Sequence, residues 1–261
     1  MSTPFDEVIE AIRVAGYHNQ RRPGHSDIVS KGIIRDLRAR CPVIAEDFDS
    51  SKVRSWSNVS APGARGRKID LFVGEVAGRT TEKPDVRGAR ICVENKSLMT
   101  AHRNKTNRLD DLGELLGAIH RTKAEAIIVA TVLVGTAPRV LNVPDQVKKA
   151  YKKDPRRFAA EVVPRLSRGD ATLWTDFEYA ISPNKPDQAA NTVAKFQSLP
   201  RRQPGHTHVM GFDFVMIVPV FIDNVNPPSV CRQNGFGIDI DATYERMLAT
   251  ICRAYEARWH F

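Results

Sequence analysis

The chain has 261 residues, 42% of them apolar, which suffices for one α/β domain whose core needs neither disulfides nor metals to hold it. Its formal charge of +9 points to a polyanionic partner, nucleic acid first, because self-repulsion adds nothing to stability while a positive surface gains affinity and on-rate toward phosphates. No run approaches the roughly 18 apolar residues of a membrane span, and the early acids Asp6, Glu7 and Glu10 do not suit a signal peptide. The four cysteines, Cys41, Cys92, Cys231 and Cys252, form no CxxC pair, which argues against a zinc finger or a disulfide framework and predicts buried thiols in a reducing cytoplasm.

Phe5, Val8, Ile9 and Ile12 recur at helical spacing, as do Val29, Ile33, Ile34 and Leu37, which predicts amphipathic helices over 5–15 and 26–40, the second capped by Ser26. From 50 to 67, Ser, Asn, Gly and Pro gather around Trp56, as in a short strand or loop followed by a turn at Pro62 and Gly63. Two apolar segments, 68–76 and 89–98, are joined by a polar link too short for a crossover helix, so they are expected as neighbouring antiparallel strands. Leu109, Leu112, Leu115, Leu116 and Ile119 then carry the helical period. The run 126–134 is apolar and broken only by Thr131, so a helix crosses over to a buried strand. The stretch 144–204, rich in Lys, Arg, Asp and Pro, reads as an insertion or specificity subdomain. A strand over 212–222 and a helix over 242–259, capped by Asp241, close the chain. This order implies one α/β (α+β) domain over 1–261, a central mixed β-sheet flanked by helices, with its core in 26–134 and 212–261.

The run Ile91-Cys92-Val93-Glu94-Asn95-Lys96-Ser97 sets a carboxylate and an ammonium two residues apart on an apolar strand. In a strand such residues share a face, so Glu94 and Lys96 project together. The preceding strand, Lys68-Ile69-Asp70-Leu71-Phe72-Val73, is broken by a single acid, and if the strands are neighbours Asp70 reaches Glu94. Converging carboxylates suit a hard divalent cation such as Mg²⁺, to which the Asn95 carbonyl can add an oxygen. In phosphodiester hydrolysis such a cation activates a bound water and neutralises developing charge, and Lys96 stands where it can hold the water or the pentavalent phosphorus. Alone, a Glu-x-Lys pair on a strand usually marks an exposed salt bridge worth under about 1 kcal/mol. The apolar flanks of both strands, and the helix and strand that follow, set this one apart.

An Asp on one strand and Glu-x-Lys on the next, with a helix before and a helix and strand after, resembles the PD-(D/E)XK nuclease superfamily over about residues 26–134. The resemblance implies a restriction-endonuclease-like core, Asp70 and Glu94 as metal ligands, and Lys96 as the catalytic lysine. It permits a further acid from the first part of the chain, for which Glu46 is the best candidate. Ile69 stands where the motif has proline. Pro84-Asp85 spells the motif literally, but Asp85 sits in a polar link whereas Asp70 interrupts a strand, and a site on rigid elements holds its geometry better.

Cations, amides and hydroxyls crowd the stretch after the Glu-x-Lys strand: Ser97, His102, Arg103, Asn104, Lys105 and Arg108. Arg65, Arg67 and Lys68 form a second group beside Asp70, so a phosphate backbone passing the site meets both. Arg201 and Arg202 are a further basic pair for phosphate contacts. The expectation is a Mg²⁺-dependent type II restriction endonuclease, a homodimer cutting double-stranded DNA at a short sequence. A junction resolvase, a mismatch endonuclease or a methylation-dependent endonuclease on the same fold is the alternative. A DNA-binding protein without catalysis is the reading from another class.

Overall fold

The computed structural model describes residues 2–15, 24–61, 63, 66–76, 84–99, 104–142, 149–151, 153–162, 164–165, 180–183, 185, 187–203, 205–224 and 226–260. Helices α1 (Pro4–Ala15) and α2 (Gly24–Arg40) turn Phe5, Val8, Ile12, Ile33 and Leu37 inward, as their period requires. They touch at Gly32, where a Cβ would come within 2.5 Å of the Pro4 ring. Ser26 does not cap α2; the helix starts at Gly24 and Ser26 lies inside it. A short α3 (Pro42–Asp49), opened by proline, follows at once. At eight residues it is too short to show a period in sequence.

Strands β1 (Val53–Ser60), β2 (Lys68–Glu75) and β3 (Ala89–Leu98) form an antiparallel meander. Helix α4 (Lys105–Thr122) then crosses over to β4 (Ile127–Gly135), which runs parallel to β3. All of β4 is buried, as a parallel strand covered on both faces must be. Beyond it β5 (Arg139–Asn142) pairs with β6 (Ala180–Pro183) in a separate two-stranded sheet, with α5 (Pro155–Glu161) between them in sequence. Helix α6 (Gln188–Gln197) leads back to β7 (Phe214–Phe221), parallel to β4, and β8 (Ser229–Val230) forms the edge. Helix α7 (Ile240–Trp259) closes the chain. Its cap is Asp239, whose carboxylate accepts the Ala242 N–H at 2.9 Å, two residues before the Asp241 expected from sequence.

The main sheet is therefore mixed, in the order β1-β2-β3-β4-β7-β8, and the chain is α/β. Alternation along the strands divides the core. Leu71, Val73, Ile91, Val93 and Val129 pack under α1, α2, α3 and α7, while Phe72, Cys92, Ile128 and Val132 pack under α4 and α6. Although α6 lies within 144–204, its Val193 and Phe196 pack into the second of these layers. Among the described residues no helix is long and apolar enough to cross a membrane.

The cysteine expectation needs correcting. Cys41, between α2 and α3, is disulfide-bonded to Cys252 on α7, with Cα atoms 5.6 Å apart. The pair is 211 residues apart in sequence, a proximity made only by the docking of α7 on α2 and α3, so spacing could not announce it. Cys92 and Cys231 are free thiols, the first fully enclosed in the sheet.

Candidate active site

The β2–β3 ladder runs to the pair Leu71 and Val93. One step beyond, side chains stand in for main-chain partners. The Asp70 carboxylate accepts the Asn95 N–H at 2.7 Å, and the Asp70 N–H faces Glu94 Oε2 at 3.4 Å. Both carboxylates are thereby drawn into the gap between the parting strands. Lys96 closes on Glu94 Oε1. The side chain of Asn95 is committed elsewhere. Its Nδ2 donates to the Ser26 carbonyl at 3.2 Å and to Ser30 Oγ at 3.1 Å on α2, and its Oδ1 accepts from Thr131 Oγ1 at 2.6 Å. Those bonds pin β3 to α2 and β4, and they leave only the main-chain carbonyl of Asn95 to serve a metal.

Electrostatically the gap is overloaded with negative charge. Burial and the neighbouring Asp70 push the Glu94 carboxyl up to about 7. Burial also raises Asp70, helped by Asp27 and opposed by the Asn95 N–H and Lys96. Asp27 lies on α2 beside Ser26, whose hydroxyl donates to Asp70. One Asp27 oxygen, Oδ1, is buried with no hydrogen-bond partner among the described residues. An orphaned carboxylate oxygen on a residue whose charge presses on Asp70 is poorly satisfied as it stands. An all-oxygen donor set of this kind fits a hard divalent cation. Asp70 and Glu94 would hold it, and Asp27 is linked to the pair through its charge acting on Asp70.

A fourth acid went unnoticed in the sequence. Asp111 on α4 is buried and gathers Arg67 Nη2 at 2.5 Å, Arg108 Nη1 at 3.1 Å and Lys96 Nζ at 3.9 Å. Its signal was positional: it sits next to Leu112 on the apolar stripe of α4, where an unpaired carboxylate would be costly.

The other sequence candidates are dispersed. Glu46 is exposed on α3, while its neighbour Asp47 turns inward to Arg90 at the far end of β3. Asp85 caps the 3₁₀ turn Val86–Gly88 that leads into that same far end, and its exposed carboxylate binds Arg87. Lys68 and Ser97 are exposed on β2 and β3, and Asn104, Lys105 and Arg108 sit in the first turns of α4. Arg65, His102 and Arg103 lie outside the described residues. Arg202 is corrected: it is buried against Asp213 at 2.9 Å, and Arg258 completes the cluster at 2.5 Å, so it is no phosphate ligand. No family model, curated protein or solved structure matches the chain.

Proposed function

We propose that the chain is a Mg²⁺-dependent endodeoxyribonuclease with the PD-(D/E)XK arrangement, and within that class a type II restriction endonuclease acting as a homodimer on double-stranded DNA. The observation that carries this reading is the gap at the end of the β2–β3 ladder, where the Asp70 carboxylate takes the Asn95 N–H, Glu94 Oε2 faces the Asp70 N–H and Lys96 stands on Glu94. A bound divalent cation supplies Lewis acidity there, lowering the pKa of a water and offsetting charge on the phosphate. Asp70 and Glu94 would hold it as carboxylates. Lys96, beside Glu94, would orient the attacking water and offset charge developing on the phosphate. Asn95, tied to α2 and β4, keeps the Glu94–Lys96 face fixed while this happens.

A non-catalytic DNA-binding protein has one observation in its favour, the closed Lys96–Glu94 pair. It leaves the raised carboxyls and the orphaned Asp27 oxygen without a purpose, whereas perturbed acids clustered beside a lysine are what metal-assisted hydrolysis needs. Incubating supercoiled mixed-sequence plasmid with the purified protein and millimolar Mg²⁺ separates the two. Cleavage that is lost in Asp70→Asn and Lys96→Ala but kept in Asp85→Ala supports the nuclease. Intact plasmid with the wild type, or cleavage surviving Asp70→Asn, refutes the assignment. Discrete fragments from plain duplex mark restriction, and cutting confined to branched, mismatched or methylated duplex marks the alternatives.

A further inference from the structure

Lys96, Arg67 and Arg108 come from three elements, the strand β3, the segment entering β2 and the first turns of α4, yet all three end on one carboxylate. That carboxylate, Asp111, is 7% exposed, whereas the side chains of Arg67 and Arg108 are 40% and 41% exposed. A surface helix pair accounts for Arg108, three residues before Asp111, and is worth a few tenths of a kcal/mol. It does not account for Arg67 or Lys96. One carboxylate cannot neutralise three cations. Glu94 shares Lys96, and the half-exposed Glu114 reaches Arg67 Nε at 3.4 Å, but each guanidinium has five N–H donors and these contacts leave several facing solvent. The arrangement is a pair of partly exposed arginines tied to one buried carboxylate with donors left over, a form that suits phosphate oxygens.

We propose that Asp111 is a positioning residue that fixes Lys96 and the two arginines relative to one another, so that a DNA phosphate gripped by Arg67 and Arg108 is delivered to the Glu94–Lys96 face. The proposal rests on the nuclease reading above and adds to it how backbone binding is coupled to chemistry. The carboxylate itself touches neither substrate nor metal. Its effect falls on the cleavage of bound DNA rather than on binding, because removing a negative charge beside a polyanion does not weaken association.

Two measurements decide it. Duplex DNA binding is titrated without divalent metal across a range of salt concentrations, and single-turnover cleavage is followed with Mg²⁺ and enzyme in excess. Asp111→Asn is expected to bind within about threefold of wild type and to cleave bound DNA at least about tenfold more slowly, the effect of a misplaced catalytic group. Arg67→Gln combined with Arg108→Gln is expected to make the slope of log Kd against log salt shallower by about two. Wild-type cleavage by Asp111→Asn overturns the proposal, as does a parallel loss of binding and cleavage, which marks a structural role. An unchanged salt slope in the arginine variant overturns it too. Should Asp111→Asn lack a cooperative unfolding transition, Asp111→Glu, which keeps the charge and lengthens the reach, is judged by the same two criteria. If the wild type cleaves nothing, the nuclease reading fails and the tie to chemistry with it, while the salt slope, measured without metal, still shows whether the arginines meet phosphate.

Discussion

Strand β3 carries a buried charge at each end of its ladder with β2, and the two ends treat it in opposite ways. At the entry, the β2–β3 register shifts between Val73 and Gly74 and leaves Arg90 as an extra residue directed at α3 and α7. There Asp47 collects Arg90 at 2.5 Å, the Tyr255 hydroxyl at 2.7 Å, His260 at 3.0 Å and Lys52 at 3.3 Å. Arg90 also bonds Glu75 at 2.9 Å and lies over the rings of Tyr255 and Trp259. Burial alone would raise Asp47, but these donors outweigh it and hold the carboxyl below its usual range. At the other end Glu94 is also buried, has Lys96 for its one cationic partner among the described residues, and is pushed up by a second acid. Both carboxylates are nearly sealed from solvent, and their compensation differs. A saturated network is architecture; an unsaturated one is poised for a ligand.

The largest effect that would break this contrast is on cleavage. Glu94→Gln should slow plasmid cutting by at least about a thousandfold, yet raise the melting temperature of the metal-free protein at pH 8, because it removes an uncompensated charge. A melting temperature that falls instead would make Glu94 as structural as Asp47. Next in size, Arg90→Met should cost up to about 3–5 kcal/mol in denaturant unfolding, since it breaks a buried ion pair and leaves Asp47 to Tyr255, His260 and Lys52. The folded fraction should still cleave at the wild-type rate. Loss of turnover there would join the two ends into one functional unit.

Sequence revealed the site end of this contrast better than the structural end. Glu94 and Lys96 were legible because strand spacing alone puts them on one face, and Asp70 because an acid interrupting an apolar run must be held by something. The sheet around them was legible for the same reason: the apolar runs leading to β2, β3, β4 and β7 are long and periodic. Asp47, Asp111 and Asp27 were not, since each acquires its meaning from a partner far away in the chain: Arg90 and Tyr255, Arg67, and Asp70. Glu46 drew notice in place of Asp27 because nothing local distinguishes one helix acid from another. The Cys41–Cys252 bridge and the burial of Arg202 were hidden likewise.

Acid and base should sharpen the comparison, because the two ends carry opposite signs. The folded-state pKa of Glu94 is raised from 4.5 to about 7, so the folded protein holds a proton that the unfolded chain has released. Metal-free stability from this group is therefore highest below 4.5 and declines as pH rises toward 7, by up to roughly 3 kcal/mol. Asp47 is lowered below 3.8, so its contribution is present above 3.8 and is lost as pH falls through the folded-state value. Unfolding followed from pH 3 to 8 should show the Glu94 decline in the wild type and not in Glu94→Gln. The acid-side loss should persist in Glu94→Gln and shrink in Arg90→Met, where Tyr255, His260 and Lys52 still hold Asp47 and Arg232 still holds Asp6. Mg²⁺ should reverse the decline by displacing the proton, so that metal stabilises more at pH 8 than at pH 6.

The smallest expected effect tests how far the uncompensated end extends. Asp27 is on a helix, not on the parting strands, and its unpartnered Oδ1 and its pressure on Asp70 are what link it to the gap. If the oxygen helps to hold the cation, directly or through a water, Asp27→Asn should raise the Mg²⁺ concentration for half-maximal cleavage by about tenfold, the usual cost of a lost outer ligand. The maximal rate should change little, because Asp70, Glu94 and Lys96 remain. If instead Asp27 only repels Asp70, its removal lowers the Asp70 pKa and eases deprotonation, so less Mg²⁺ is needed rather than more. The direction of that shift, read from one titration at pH 8, decides whether α2 supplies part of the site or merely a neighbouring charge.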